Sequence, residues 1–233
     1  PEHQATSEPE ATSEPEATSE QHQVNPEHEA AEQAGWQALD EYWSTVGELD
    51  PARLTYIINP MFSGAPPWPN TRQSYRIVRT SDSLIVASDG LSDPWPDLRG
   101  NGLRMEAFIE VKGMQDLTFD EIKGHWIFAA IESFSQNAAA SGQFVDLVEE
   151  MGVLSIELPT DVGPDGWLKP NGRFGALMNV PIEGRALTVD MPLEPIRLIP
   201  ITMLAGGLSP VCRLRRVRRY RDRAVRWSGC PAR

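Results

Sequence analysis

The stretch "SDSLIVASDGLSDPWPDLRGNGLRMEAFIEV", residues 81–111, decides the fold. After the polar Ser81-Asp82, Leu84 to Ala87 form an apolar run that reads as a strand. Asp89-Gly90 is then a strong turn signal, because Gly accepts positive φ and Asp bonds its own backbone. Ser92 and Asp93 can bond nearby amides in the same way, and Pro94 stiffens the exit. Beyond Gly100 and Gly102, Leu103, Met105, Ala107, Ile109 and Val111 alternate with mostly polar neighbours, the period of a second strand. A strand, a loop of turn chemistry and another strand imply a sheet, and Asp89, Gly90, Gly100 and Gly102 are expected to be its structural turn residues.

Upstream, "SYRIVRT" (74–80) reads as a further strand, "LTYII" (54–58) as a short one, and "MFSGAPPWPN" (61–70) as a Pro-rich loop. "EAAEQAGWQALDEYWSTVG" (29–47) places Trp36, Leu39, Trp43 and Val46 on one helical face, so order is expected from near Glu29. Downstream, "TFDE" (118–121) fits a capping box and predicts one helix running to about Ala139 through Ile122, Trp126, Ile131 and Phe134. "QFVDLVEEM" (143–151) predicts a shorter helix stopped by a left-handed cap at Gly152. "VLSIELP", "RFGALMNV", "ALTVDM" and "IRLIPITML" follow as strands, with Gly163-Pro164-Asp165-Gly166 and Pro170-Asn171-Gly172 as turns. The expected fold is α+β: a mixed or mostly antiparallel sheet, two central helices and an N-terminal helix.

The two ends differ from this middle. "ATSEPEATSEPEATSE" (5–20) repeats a six-residue unit with no apolar residue larger than Ala, so residues 1–28 are expected to be a disordered acidic leader. Residues 1–35 carry nine acidic residues and no Lys or Arg, whereas residues 213–233 carry nine Arg and one Asp. Without that last segment the net charge goes from −12 to −20, since nine positive charges and one negative leave together. An acidic middle argues against a nucleic-acid-binding core. The domain is expected over residues 29–208 and a basic tail over 209–233. That tail reads either as a segment for RNA or membrane or, the reading favoured here, as an accidental ending written by a shifted reading frame. No run approaches the ~20 apolar residues of a membrane span, and no secretory signal is visible, so the chain is expected to be cytoplasmic with no membrane partner.

Chemistry has few candidates. Both cysteines, Cys212 and Cys230, fall in or beside the basic tail, which excludes a disulfide framework, a Cys-based zinc site and a Cys nucleophile from the middle of the chain. His3, His22 and His28 lie in or next to the leader, leaving His125 as the one imidazole available to an acid–base mechanism. It reads as a packed or half-exposed helical residue beside Trp126. No metalloprotease, nucleophile-elbow, P-loop or dinucleotide motif is present. "DGLSDPWPD" offers Asp89, Asp93 and Asp97 but lacks the Gly and distal Glu of a calcium loop. No metal or cofactor is expected.

"DGLSDPW" followed by "GNGLRMEAFIEV" resembles the Suppressor of fused domain. That family has a strand, then Gly-Leu-Ser-Asp or -Glu, a loop, and Gly-x-Gly leading into a long strand; Gly90 to Asp93 match the first motif, Gly100 and Gly102 the second. A helix starting with a Trp is matched by Trp126, and a late strand running into an Ile-Thr turn by "IRLIPITML". The resemblance covers about residues 30–204. It implies a domain with no catalytic activity that binds a protein or extended peptide, with Trp95, Asp93 and Ser92 at the contact, Trp95 in the place of a peptide-touching aromatic.

Three departures qualify what carries over. The loop between the glycine motifs is shorter than in the animal proteins, Glu106 sits two places later than the family's Glu, and the second, C-terminal domain of the animal proteins is not expected here. The chain therefore looks similar to the single-domain bacterial members, proposed to be immunity proteins that neutralise toxins. Two other classes stay open: an enzyme using the acidic loop around Asp89 and Asp93, and a nucleic-acid binder acting through the Arg-rich tail.

Overall fold

The computed structural model describes residues 25–159, 167 and 173–204. The centre is an antiparallel meander of β3 (Ser74–Arg79), β4 (Ser83–Asp89) and β5 (Met105–Lys112), with Val78 opposite Ile85 and Val86 opposite Ile109. β5 then lies parallel to the first half of β9 (Ile196–Leu204), Met105 opposite Arg197. The second half of β9 pairs antiparallel with β7 (Arg173–Met178), which pairs with β6 (Leu154–Pro159). Two-residue strands finish the sheet: β1 (Glu48–Leu49) and β2 (Leu54–Thr55) on β3, and β8 (Thr188–Val189) on β9. The result is the expected α+β architecture with a mixed, mostly antiparallel sheet.

Every residue of β4 is buried, so both sheet faces must be covered, and this is why its sequence is a continuous apolar run and not an alternating one. Leu84 and Val86 pack with Ile122 of α2 (Phe119–Lys123), Ile127, Ile131 and Phe134 of α3 (Trp126–Ser141), and Val145 and Val148 of α4 (Phe144–Met151). Ile85 and Ala87 face the other way, onto Leu39 and Trp43 of α1 (Pro26–Val46) and Phe108 of β5. Trp43 meets Phe108 edge-on at 5.4 Å. Each such side chain contributes about 1.5–3 kcal/mol of burial.

Six local expectations need correction. Of "ALTVDM" (186–191) only Thr188–Val189 is strand, the stretch that pairs with Ile196 and Arg197 of β9. α1 starts at Pro26, with the Asn25 side chain accepting the Glu27 N–H, so residues 26–28 belong to the helix and not to the leader. Only Leu54–Thr55 of "LTYII" is strand; Ile57 and Ile58 stand in solvent because β3 offers no further edge to pair them. β5 starts at Met105 and not Leu103, since Arg104 takes a positive φ of 56°. Gly152 ends α4 with φ 80° and ψ −98°, which is not the left-handed helical conformation. The Thr118 capping box forms as read, but the helix it opens closes at Lys123, and α3 starts afresh at Trp126. The leader up to residue 24, the turn sequences at 163–166 and 170–172, and the tail from 205 lie outside the described residues.

His125 is the N-cap of α3: its backbone is extended (φ −92°, ψ 148°) and Nδ1 accepts the Ile127 N–H at 3.4 Å. Only an unprotonated Nδ1 can accept. Burial holds the imidazole below its ordinary value of 6.5. The folded state therefore resists a proton that the unfolded chain takes up, and the cap's stabilisation, complete at higher pH, is lost as pH falls from about 6.5 through the folded value. His125→Ala is expected to cost about 1 kcal/mol at pH 8, with the gap to the parent closing under acid. His125→Ser keeps a cap and is expected to show neither effect. Thermal melts of the three proteins between pH 5 and 8 check this.

Candidate functional site

β4 and β5 pair as far as Ala87 opposite Phe108 and then part. Past that point Ser88 Oγ accepts the Ala107 N–H at 2.8 Å, so a side chain replaces a ladder bond. The opening is filled by Glu106, which is completely buried. One of its carboxylate oxygens accepts from the Gly90 N–H at 3.0 Å, the Ser92 N–H at 2.9 Å and the Ser92 hydroxyl at 2.7 Å, and the other from the Ser88 hydroxyl. The turn that follows β4 is thus folded around a carboxylate from β5. Burial raises the Glu106 carboxyl above its ordinary range, the charge of Asp89 pushes the same way, and the bonds from the Ser88 and Ser92 hydroxyls and the Gly90 N–H pull it back.

Two glycines are needed by contact. Gly90 has φ 141°, and a Cβ there would lie 2.4 Å from the Arg72 carbonyl oxygen and 3.0 Å from the Trp68 ring. Gly102 has φ 46°, and a Cβ there would lie 2.5 Å from the carbonyl oxygens of both Leu91 and Asp93. Gly100 also has positive φ, 157°, and its carbonyl accepts the Trp95 N–H at 3.2 Å.

Around this turn lies an ion network of three arginines and three aspartates from four parts of the chain. Asp89, fully buried, receives Arg76 Nη1 at 2.7 Å, Arg72 Nη1 at 2.8 Å and Arg53 Nε at 2.9 Å. Arg72 also grips Asp93 with two bonds, Nε at 2.9 Å and Nη2 at 2.6 Å. Arg53 and Arg76 share Asp40 of α1, each at 2.8 Å. Trp36 joins the network twice: its indole N–H donates to Asp93 at 3.0 Å, and its carbonyl accepts from Arg76 at 3.1 Å. The Arg72 guanidinium stacks 4.5 Å from the Trp36 ring. Three positive and three negative groups balance, so the network locks α1 onto the sheet without a buried excess charge.

The residues singled out from the sequence do come together, but with different roles, and Asp89 is the last residue of β4, opposite Ser74 of β3, and not part of the turn. Asp89 bonds arginines and not its own backbone. Ser92 and Asp93 are 1% and 2% exposed, and their polar atoms are taken by Glu106, Arg72 and Trp36, so neither offers a side chain to a partner. Trp95 is half-buried: its indole N–H donates to the Gly102 carbonyl at 3.0 Å, and Arg99 covers its ring at 4.7 Å. Asp97 lies on the surface beside Arg99. The sequence reading missed Arg53, Arg72 and Arg76 and the part played by Glu106. A charged residue inside the apolar strand "SYRIV" was the one available sign of Arg76. It also missed Ile57, Ile58 and Phe62, exposed by 106%, 70% and 79%.

Among the described residues no three His, Cys, Asp or Glu side chains are placed to hold a metal ion, and no helix is long and apolar enough to cross a membrane. No family model matches the chain, and no curated protein or solved structure was found similar to it.

Proposed function

We propose that this chain is a non-catalytic protein-binding module of the Suppressor of fused-like type. The observation that carries the reading is the loop after β2, where Ile57, Ile58 and Phe62 hold their side chains in water. Three exposed apolar side chains within six residues of one loop are the feature from which an interaction surface is inferred. The loop is fixed from below. Tyr56 donates to Glu132 of α3, the Asn59 amide donates to the Thr71 carbonyl, and its side-chain oxygen accepts the Met61 N–H at 3.0 Å. Trp68, at the loop's far end, is buried. An anchor held this way loses little entropy on binding.

The acidic-loop enzyme reading loses its support, because the carboxylates of Asp89 and Asp93 are consumed by arginines. The finer form of the proposal is an immunity role, in which the bound protein is a toxin and the exposed edge of Trp95 adds to the contact. Gene neighbourhood supplies the test. The products of adjacent genes are co-expressed with the chain, and any complex is measured against Ile58→Ser/Phe62→Ser. The variant is expected to melt as the parent does and to bind roughly 100-fold or more weakly, as when two hot-spot side chains are lost. A variant that binds normally, or one that loses binding and melting together, overturns the assignment of this loop.

A further inference from the structure

Helix α4 turns Val145 and Val148 into the core and leaves Leu147 and Met151, one turn apart, 37% and 61% exposed. Asp146, Glu149 and Glu150 are exposed around them. Asp146 pairs with Arg104, whereas among the described residues no cation pairs with Glu149 or Glu150. An apolar pair framed by acids fits a segment in which basic and apolar residues interleave.

The chain carries such a segment in "RLRRVRRYRDRAVRW", residues 213–227, with eight Arg and one Asp, and with Leu214, Val217 and Tyr220 spaced three apart. The described residues include 24 Asp or Glu and 11 Lys or Arg, a net charge of −13, so attraction between the two is strong at low salt. The tether allows the contact. Asn179 links the end of α4 to β9, donating from its side chain to the Gly152 carbonyl at 3.1 Å and from its backbone to the Pro200 carbonyl at 2.9 Å. From Pro200 to Leu204 the strand travels about 13 Å. The eight residues from Leu204 to Cys212 can span up to about 27 Å, enough to return to α4. Tethering also raises the local concentration of the segment to the millimolar order, so weak contacts suffice.

We propose that the outer face of α4 is the docking surface for residues 213–227 of the same chain. The contact is intramolecular and salt-sensitive, and it does not depend on the partner-binding reading above.

The test uses the full chain with Cys230→Ser, so that Cys212 is the single thiol, carrying a nitroxide label. Amide signals of residues 144–151 are expected to lose intensity at low salt and to recover near 1 M salt, where the screening length is about 3 Å. Glu149→Lys/Glu150→Lys is expected to abolish the loss while leaving the melt unchanged. Leu147→Ser/Met151→Ser, which changes no charge, is expected to weaken it. Intact α4 signals, losses centred on another acidic surface such as α1, or losses indifferent to the charge reversal overturn the proposal. So do losses seen when labelled chain is mixed with unlabelled, isotope-enriched chain, because the contact is then between copies.

Discussion

Replacing Glu106 with Ala is expected to lower unfolding stability by roughly 4 kcal/mol or more. The substitution leaves two backbone N–H groups and two hydroxyls, from Ser88, Gly90 and Ser92, converging on an empty buried space. Urea denaturation followed by tryptophan fluorescence measures the loss, and a change below about 1 kcal/mol would show the turn to be held by other means. Glu106→Gln preserves shape and is expected to lose less, with a pH dependence of definite sign. Because burial raises the folded carboxyl, the native state keeps a proton that the unfolded chain releases. The parent's advantage over Gln is therefore greatest at or below the ordinary carboxylate value and shrinks as pH rises through the folded one.

Asp89→Ala is expected to cost about 3–5 kcal/mol, the range for removing one member of a buried pair. Arg76, fully buried, would then retain only Asp40 as an ionic partner, and Arg53 and Arg72 would be brought into unbalanced proximity. The loss is expected to change little with salt, because no solvent reaches the pair. Arg76→Leu removes the opposing charge and is expected to cost less, since Arg53 and Arg72 still hold Asp89. A double-mutant cycle on Asp89 and Arg76 isolates their coupling. A cycle energy near zero would mean that the network is a solvated cluster and not a lock for α1.

What could be read from the sequence was set by how local its cause is. The strands β3, β4 and β5 follow from residue type and, in β5, from period, and the Thr118 capping box from chemistry within four residues; all were legible. The break at Gly124-His125 was not, because apolar spacing continues through it from Ile122 to Trp126, and only the cap geometry marks the restart. "LTYII" has the right residues for a strand, yet strand formation needs a partner edge, which no propensity reports. The stretch from Asp89 to Gly102 was legible as a special place. Its meaning was not, since the groups that define it, Arg53, Arg72, Arg76, Asp40 and Glu106, arrive from elsewhere in the chain.

The pairing of β9 has a consequence for how the protein is made. β5 is completed at Lys112, but the strand that covers its open edge begins only at Ile196. At ribosomal rates of about 5–20 residues per second, that edge waits roughly 4–17 s. During the wait the meander presents Met105 to Phe108 as an unpaired template to any other nascent chain. Expression yield should accordingly fall when elongation pauses between the codons for Lys112 and Ile196 are lengthened, even though the finished protein is identical.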